Sequence, residues 1–86
     1  MSEIKQMRKQ IDEVDEKIIN ALCERVKICR VIGAAKRKKG LAVKDTSREN
    51  EVYSRIKEKA VRCGLDSGQV EAVYREIVNM CSAVQE

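Results

Sequence analysis

Residues 3–39 read EIKQMRKQIDEVDEKIINALCERVKICRVIGAAKRKK, a run with no proline and a single glycine, Gly33. One set of positions in this run recurs at spacings of three and four, which is the period of one face of an α-helix. Gly40 and the lysines before it are typical of a helix C-terminus. The run therefore predicts one long helix. The positions on its apolar face are Ile4, Met7, Ile11, Val14, Ile18, Leu22, Arg25, Cys29, Ile32 and Lys36.

Two shorter helices are expected after the loop GLAVKD at 40–45. Thr46 and Glu49 form a T-x-x-E pattern, which predicts a capping box at the start of the second helix, and Gly64 ends it. The run DSGQ at 66–69 is a second cap signal and opens the third helix. The predicted inward faces are Val52, Ile56, Ala60 and Cys63 on the second helix, and Val70, Val73, Ile77, Cys81 and Val84 on the third.

The composition favours one all-α domain over residues 1–86. The chain has no Phe, Trp or Pro and only two Tyr, so its core must be aliphatic. Glycine and proline are typical of turns and loops, so few glycines and no proline favour a helical fold. The four cysteines form no C-x-x-C pair and there is no histidine. We therefore expect reduced, buried thiols, and neither a metal site nor a cofactor.

The predicted helices differ greatly in length. A helix over residues 3–39 would be roughly 55 Å long at about 1.5 Å per residue. Two shorter helices cannot cover an apolar face of that length, and a lone chain would expose it. The mismatch predicts an obligate homodimer in which the long helices pack against each other.

The charge pattern permits several kinds of partner. The net charge is +4 and 37% of the residues are charged, which suits a small anion, a weak nucleic-acid contact or simply a soluble surface. No secretory signal and no apolar run of membrane-spanning length is visible. We therefore expect a cytoplasmic protein that contacts no membrane. A non-enzymatic helical module remains an alternative, although aromatic platforms for stacking nucleic-acid bases are missing.

Polar side chains fall on or beside the predicted apolar faces. Arg25 is the most informative, because it lies in mid-helix between core positions and a buried arginine needs a partner. A structural ion pair with a carboxylate would satisfy it, and such networks are common. The other candidates each have an ordinary explanation, such as a cap, a helix end or a solvated edge. They are Arg8, Lys36, Arg48, Glu49 and Gln85.

Taken together, these residues predict an anion site. Four cations against Glu49 leave surplus positive charge, which suits a small apolar body with two carboxylates and a hydroxyl. Arg25 and Lys36 lie about 16 Å apart along the helix, and long side chains can meet between them. Arg8 and Arg25 are roughly 25 Å apart. If Arg8 belongs to the site, it belongs to the partner's site in an antiparallel dimer.

The ordered set of these residues resembles a known family. It runs R-x-x-I-x-x-x-D-x-x-I at 8–18, then Glu24-Arg25, Lys36, V-x-D-x-x-R-E at 43–49, and Gln85. This set is similar to the all-helical chorismate mutases of the AroQ class. The resemblance implies an intertwined helical homodimer that converts chorismate to prephenate, a step towards phenylalanine and tyrosine.

The resemblance also implies a role for each residue. Arg25, with Arg8 of the partner subunit, would bind carboxylates, and Lys36 a carboxylate and the ether oxygen. Asp45 and Glu49 would bind the hydroxyl, Arg48 would support them, and Gln85 would donate to the ether oxygen. Cys81 stands where some members carry a serine, which leaves a minor hydroxyl contact to Cys81 or Ser82. Because the chain stops just after Gln85, we expect the third helix to be ordered to its last turn.

The chemistry agrees with this resemblance, because a [3,3] rearrangement needs orientation and donors at the ether oxygen rather than a nucleophile or a metal. A sister reaction on the same scaffold, that of an isochorismate–pyruvate lyase, is the nearest alternative. Those lyases tend to lack the glutamate of the second helix, so Glu49 favours the mutase.

Overall fold

The computed structural model describes residues 2–86, which form three helices and, within that range, no strand. The helices are α1 (Glu3–Lys39), α2 (Thr46–Arg62) and α3 (Ser67–Ala83). The predicted all-α class and the three helices are confirmed. Helix α3 packs against both α2 and α1.

Both ends of α1 are capped, and the stop at Gly40 is the one that the sequence predicts. The Ser2 side chain accepts a hydrogen bond from the Lys5 amide at 3.1 Å. At the other end Gly40 has φ 69° and ends the helix, and the Leu41 amide donates to the Lys36 carbonyl at 2.8 Å. A left-handed residue at this position is strained for any side chain but glycine, which is why the helix stops here.

The start of α2 differs by one residue from the prediction. The N-cap is Asp45, whose carboxylate accepts from the Arg48 amide at 3.0 Å, and Thr46 is already helical. The predicted capping box between Thr46 and Glu49 is therefore wrong. An aspartate is at least as good an N-cap as threonine, so the cap moves back by one residue. The Glu49 carboxylate is consequently not used as a cap.

The connection between α2 and α3 follows its sequence closely. Gly64 has φ 76°, and the Leu65 amide donates to the Ala60 carbonyl at 2.9 Å. Asp66 caps α3 by accepting from the Gln69 amide at 2.8 Å. This short connection reverses the chain, so that α3 packs alongside α2.

The core lies mainly between α2 and α3. Its buried members are Val52, Tyr53, Ile56 and Val78, with Val70 and Tyr74 packed against them. Tyr53 and Val78 were missed on the predicted inward faces. Two predicted members are wrong, because Val73 is exposed on the flank of α3 and Cys63 lies past the last turn of α2. Of the four thiols only Cys29 and Cys81 are buried, so the expectation of buried thiols fails for Cys23 and Cys63.

The first half of α1 stands clear of the other helices. Its apolar face is about half exposed, with Ile4 at 59%, Ile11 at 58% and Ile18 at 51%. The Cα radius of gyration is 16.3 Å, against about 12 Å for a compact domain of this length. A single chain therefore leaves the first half of its long helix uncovered, as the helix lengths predict.

A polar cluster ties α2 to α3 on the outer side. Lys57 pairs with Glu71 at 3.0 Å, and Arg75 pairs with Glu71 and stacks 4.5 Å above the Tyr53 ring. Hydrogen bonds from Lys57 and then Arg75 lower the pKa of Glu71. The ionised Glu71 carboxylate therefore stabilises the fold at pH values above the ordinary carboxyl pKa. This stabilisation is lost as the pH falls through the lowered pKa of Glu71.

None of the three helices has an apolar stretch long enough to cross a membrane, over the residues that the structure describes.

The Asp66 cap gives a test of this architecture. Asp66→Ala removes the acceptor for the Gln69 amide and should lower the free energy of unfolding by about 1 kcal/mol. Urea unfolding followed by circular dichroism, at one protein concentration, measures it. Asp66→Asn keeps a side-chain acceptor and should retain most of the stability. Equal losses in both variants would show that the charge, rather than the cap, matters.

Candidate active site

A cavity of about 350 Å³ lies between the second half of α1, the loop at 40–45, the start of α2 and the end of α3. Its apolar walls come from all four segments. They are Ile28, Ile32, Val43, Val52 and Val78. The polar side chains predicted from the sequence line the same cavity, with one exception. Those present are Arg25, Lys36, Asp45, Arg48, Glu49, Cys81 and Gln85.

Arg8 is the exception. It lies on the exposed first turns of α1, beside Lys5 and Asp12, in a separate shallow groove. A single chain therefore does not bring Arg8 to the cavity. This placement is what the spacing between Arg8 and Arg25 predicts for a rigid helix.

Arg25 reaches the cavity floor without a carboxylate partner. Its Nη1 donates to the Cys81 Sγ at 2.7 Å and lies 4.0 Å from the Cys29 Sγ. Among residues 2–86 the ion pairs are those of Arg48 with Glu51 and of Glu71 with its two cations, and Arg25 is in none of them. The structural ion pair considered as the ordinary explanation is thus not formed within the described chain. The guanidinium keeps donors for a ligand.

Two buried thiols lie beside Arg25, and the pKa of one of them, Cys29, is shifted. Burial raises the pKa of the Cys29 thiol, and the neighbouring Cys81 adds to the rise. The positive charge of Arg25 and a hydrogen bond from Gln85 oppose it only in part. The raised pKa keeps the Cys29 thiol neutral, so this thiol does not compensate the positive charge of Arg25.

Lys36 and Gln85 meet at the other end of the cavity. The Lys36 Nζ donates to the Val43 carbonyl at 2.7 Å and to the Gln85 Oε1 at 3.0 Å. Gln85 is only 8% exposed. Because the side-chain oxygen of Gln85 accepts from Lys36, the NH2 group of the same amide remains available as a donor. The Lys36 ammonium and the Gln85 NH2 group are therefore two neighbouring donors.

Glu49 and Asp45 form the acidic side of the cavity. Asp45 uses its carboxylate as the α2 cap, and its carbonyl accepts from the Glu49 amide at 3.0 Å. The half-buried Glu49 carboxylate faces the cavity and is in no ion pair of the described chain. It can therefore accept a hydrogen bond from a hydroxyl group of a ligand.

Three residues of the site escaped the sequence analysis. Arg55 lines the cavity, Gly33 is buried against Gln85, and the Arg37 Nη1 donates to the Gln85 carbonyl at 2.8 Å. Ser82, which the sequence offered beside Cys81 for a minor contact, lines the cavity as well. Two signals were available. Arg55 lies seven residues after Arg48 on the same face of α2, and Gly33 is the only glycine inside α1.

The charges in the cavity do not balance. Four cations (Arg25, Lys36, Arg48 and Arg55) face two carboxylates, so one chain supplies two surplus positive charges. Within residues 2–86 no three His, Cys, Asp or Glu side chains come together in a way that would hold a metal ion. The cavity thus offers cations and hydrogen-bond donors between aliphatic walls, which fits a small dianion.

Comparison with known proteins agrees with this geometry. Residues 7–86 match the family described as chorismate mutase type II. The chain belongs to that family. The resemblance seen in the sequence is confirmed.

Named relatives of this chorismate mutase domain differ in length. It is 35% identical over 89 residues to a bifunctional chorismate mutase/prephenate dehydratase of Aquifex aeolicus, and it covers 25% of that protein. It is 24% identical over 86 residues to a chorismate mutase of Methanocaldococcus jannaschii and covers 87% of it. Both alignments take in 100% of the present chain.

A solved structure has the same fold. A conserved hypothetical protein from Pyrococcus furiosus superposes with a TM-score of 0.82 at 29% identity, with 100% of this chain and 99% of the other covered. The long α1 and the helical pair α2–α3 are thus shared with a protein of equal size.

The contact at Gly33 yields a prediction for this chorismate mutase domain. A Cβ added there would lie 2.7 Å from the Gln85 Cα, closer than packed atoms allow. Gly33→Ala should keep the helix, since alanine favours it by about 1 kcal/mol. It should nevertheless displace Gln85 and lower the mutase rate by roughly tenfold or more.

The exposed neighbour Ala34 supplies the matched control. Ala34→Gly should lower the melting temperature, because glycine weakens a helix interior, and should leave the rate unchanged. Chorismate turnover and thermal melts of both variants check this. A Gly33→Ala protein with the wild-type rate would show that α1 and Gln85 have room to adjust.

Proposed function

We propose that this cavity binds chorismate and converts it to prephenate, a step in phenylalanine and tyrosine biosynthesis. The observation that carries the proposal is the meeting of Arg25, Lys36, Glu49 and Gln85 around one cavity, in a chain of the chorismate mutase family. Chorismate is a small ring that carries a hydroxyl group and one carboxylate. A side chain with the second carboxylate is attached to the ring through an ether oxygen. The cations, the amide donor and the carboxylate acceptor of the cavity suit these kinds of group.

The reaction is an internal rearrangement. The ether C–O bond breaks while a C–C bond forms, and no atom, proton or electron enters or leaves. The enzyme therefore contributes orientation, by holding the substrate in a compact diaxial conformer. It also stabilises the negative charge that grows on the ether oxygen as the C–O bond breaks.

The two ends of the cavity divide these tasks. Arg25 binds one carboxylate at the floor, where its donors now contact only thiol sulfur. Lys36 and the amide of Gln85 aim donors at the ether oxygen from the other end. Each such donor is typically worth roughly 10²–10³ in rate. Glu49 and the Asp45 backbone hold the ring hydroxyl, and Cys81 takes the minor polar contact.

Arg48 and Arg55 complete the positive side. Arg48 pairs with the exposed Glu51 at 3.2 Å, so its charge is partly compensated and its role is a supporting one. Arg55 carries a guanidinium on the same wall of α2 and reinforces the attraction for a dianion.

The dimer supplies the last arginine. The exposed apolar face on the first half of α1 is best covered by a second copy, with the two long helices antiparallel. In that arrangement Arg8 of the partner subunit reaches the carboxylate that Arg25 leaves incompletely bound. Two equivalent sites result, and each needs both chains.

The direct test is incubation of the purified protein with chorismate, with products resolved by chromatography. Prephenate as the product supports the proposal. An inactive protein would contradict it. Release of pyruvate from isochorismate, under the same conditions, would identify the lyase instead.

Mixing two inactive variants tests the shared site. Arg8→Ala and Arg25→Ala should each be inactive as homodimers. A mixed dimer keeps one intact site, built from Arg25 of one chain and Arg8 of the other. Unfolding and refolding an equimolar mixture should therefore restore about a quarter of the wild-type rate, by random pairing of two-fold dimers.

The control is each variant refolded alone, which should stay inactive. A mixture that remains inactive while light scattering shows dimers would contradict a site shared between the two chains, and an active Arg8→Ala homodimer would place Arg8 outside the site.

The donor role of Gln85 predicts a pH dependence. In Gln85→Glu a carboxyl group can donate only when it is protonated, so the rate should rise as the pH falls. The Lys36 ammonium, 3.0 Å from the Oε1 position, favours the charged carboxylate and moves the active range further towards acid. The wild-type amide does not titrate. A Gln85→Glu rate independent of pH between neutral and acid conditions would contradict this role.

A further inference from the structure

Gln85 lies beyond the end of the helix that precedes it. The third helix was expected to be ordered to its last turn at Gln85, but α3 ends at Ala83. Val84 and Gln85 form only a final turn, in which the Gln85 amide donates to the Ser82 carbonyl at 3.1 Å. Gln85 is nevertheless one of the least exposed polar residues of the described chain, at 8%. Contacts from another element must fix it.

Those contacts all come from one face of α1. Gly33, Lys36 and Arg37 are three and four residues apart, so they line up on that face. Gly33 lets the backbone of Gln85 approach, Lys36 holds its side-chain oxygen, and Arg37 donates from Nη1 to its main-chain carbonyl at 2.8 Å. The three act on different atoms of one residue.

Arg37 differs from the other two in its relation to the cavity. It is exposed, and it does not belong to the cavity lining. Its guanidinium bond to the Gln85 carbonyl is charge-assisted, and such bonds are shorter and stronger than neutral ones. Lys36, by contrast, must share its three donors between Val43, Gln85 and a ligand.

We infer that Arg37 is a positioning residue, which fixes the main chain of Gln85 so that its amide points at the reacting ether oxygen. This inference rests on the proposed function. Arg37 does not contact the substrate in this arrangement. It fixes the main chain of Gln85, whereas Lys36 contacts the side-chain oxygen of Gln85 and the substrate. A displacement of about 1 Å at such a donor can cost roughly 10²-fold in rate.

The kinetic test compares Arg37→Ala with Arg37→Lys. Arg37→Ala should lower kcat by roughly 10- to 100-fold and change KM little, because the cations that bind the carboxylates are intact. Arg37→Lys keeps a charged donor and should recover most of the rate. Lys38→Gln removes one positive charge from the neighbouring exposed position and should behave as wild type.

A double-mutant cycle separates positioning from general electrostatics. If Arg37 acts through Gln85, then Arg37→Ala should have almost no further effect in a Gln85→Ala background. Additive losses would overturn the inference, and so would an equal loss in Lys38→Gln. A wild-type kcat in Arg37→Ala would overturn it as well.

Hydrogen exchange gives a readout that does not depend on activity. In the unliganded protein, Arg37→Ala should speed exchange of the Gln85 amide and leave the core amides of α2 unchanged. Unaltered exchange at Gln85 would show that Arg37 does not hold this turn. If the wild-type protein failed to convert chorismate, the proposed function would fall, and the exchange measurement would still decide whether the contact is structural.

Discussion

A helix of 37 residues faces two helices of 17 each, and the rest of the structure depends on this mismatch. The α2–α3 pair has its own small core, but it covers only the second half of α1. The first half carries isoleucines with nothing against them in a single chain. The long helix therefore serves two purposes at once. Its second half is a wall of the cavity, and its first half is an exposed apolar surface for which we propose a second copy of the chain.

Surplus positive charge in an aliphatic cavity is costly, because each buried cation loses hydration. The chain reduces this cost with soft and neutral partners. Arg25 contacts thiol sulfur, and Lys36 contacts a carbonyl and an amide oxygen. None of these contacts is with a carboxylate. A dianionic ligand can therefore replace weak hydrogen bonds with charged ones, which is a source of affinity that needs no movement of the helices.

The sequence predicts the helices well because their signals are local. Gly40, Gly64 and Asp66 terminate or cap helices through bonds within a few residues, and each does so in the structure. Thr46 failed as a cap because Asp45, one residue earlier, makes the same bond. The inward polar residues were also found, since helical periodicity places Arg25, Lys36 and Glu49 without any knowledge of tertiary contacts. Tyr53 and Val78 were missed because the exact angle between two helices decides which flank is buried. Gly33 and Arg37 were missed for a similar reason, as their partner Gln85 lies 48 to 52 positions away in sequence.

The position of Gln85 has a consequence for how such a domain can be joined to others. Gln85 forms part of the cavity wall, and Glu86 follows it at the surface. A polypeptide joined at this point would begin one residue away from the cavity wall. Tension or rotation in such a module would pass through Glu86 alone to the residue whose amide we propose to face the substrate. In this architecture the junction between two fused enzymes would itself be a place for communication between them.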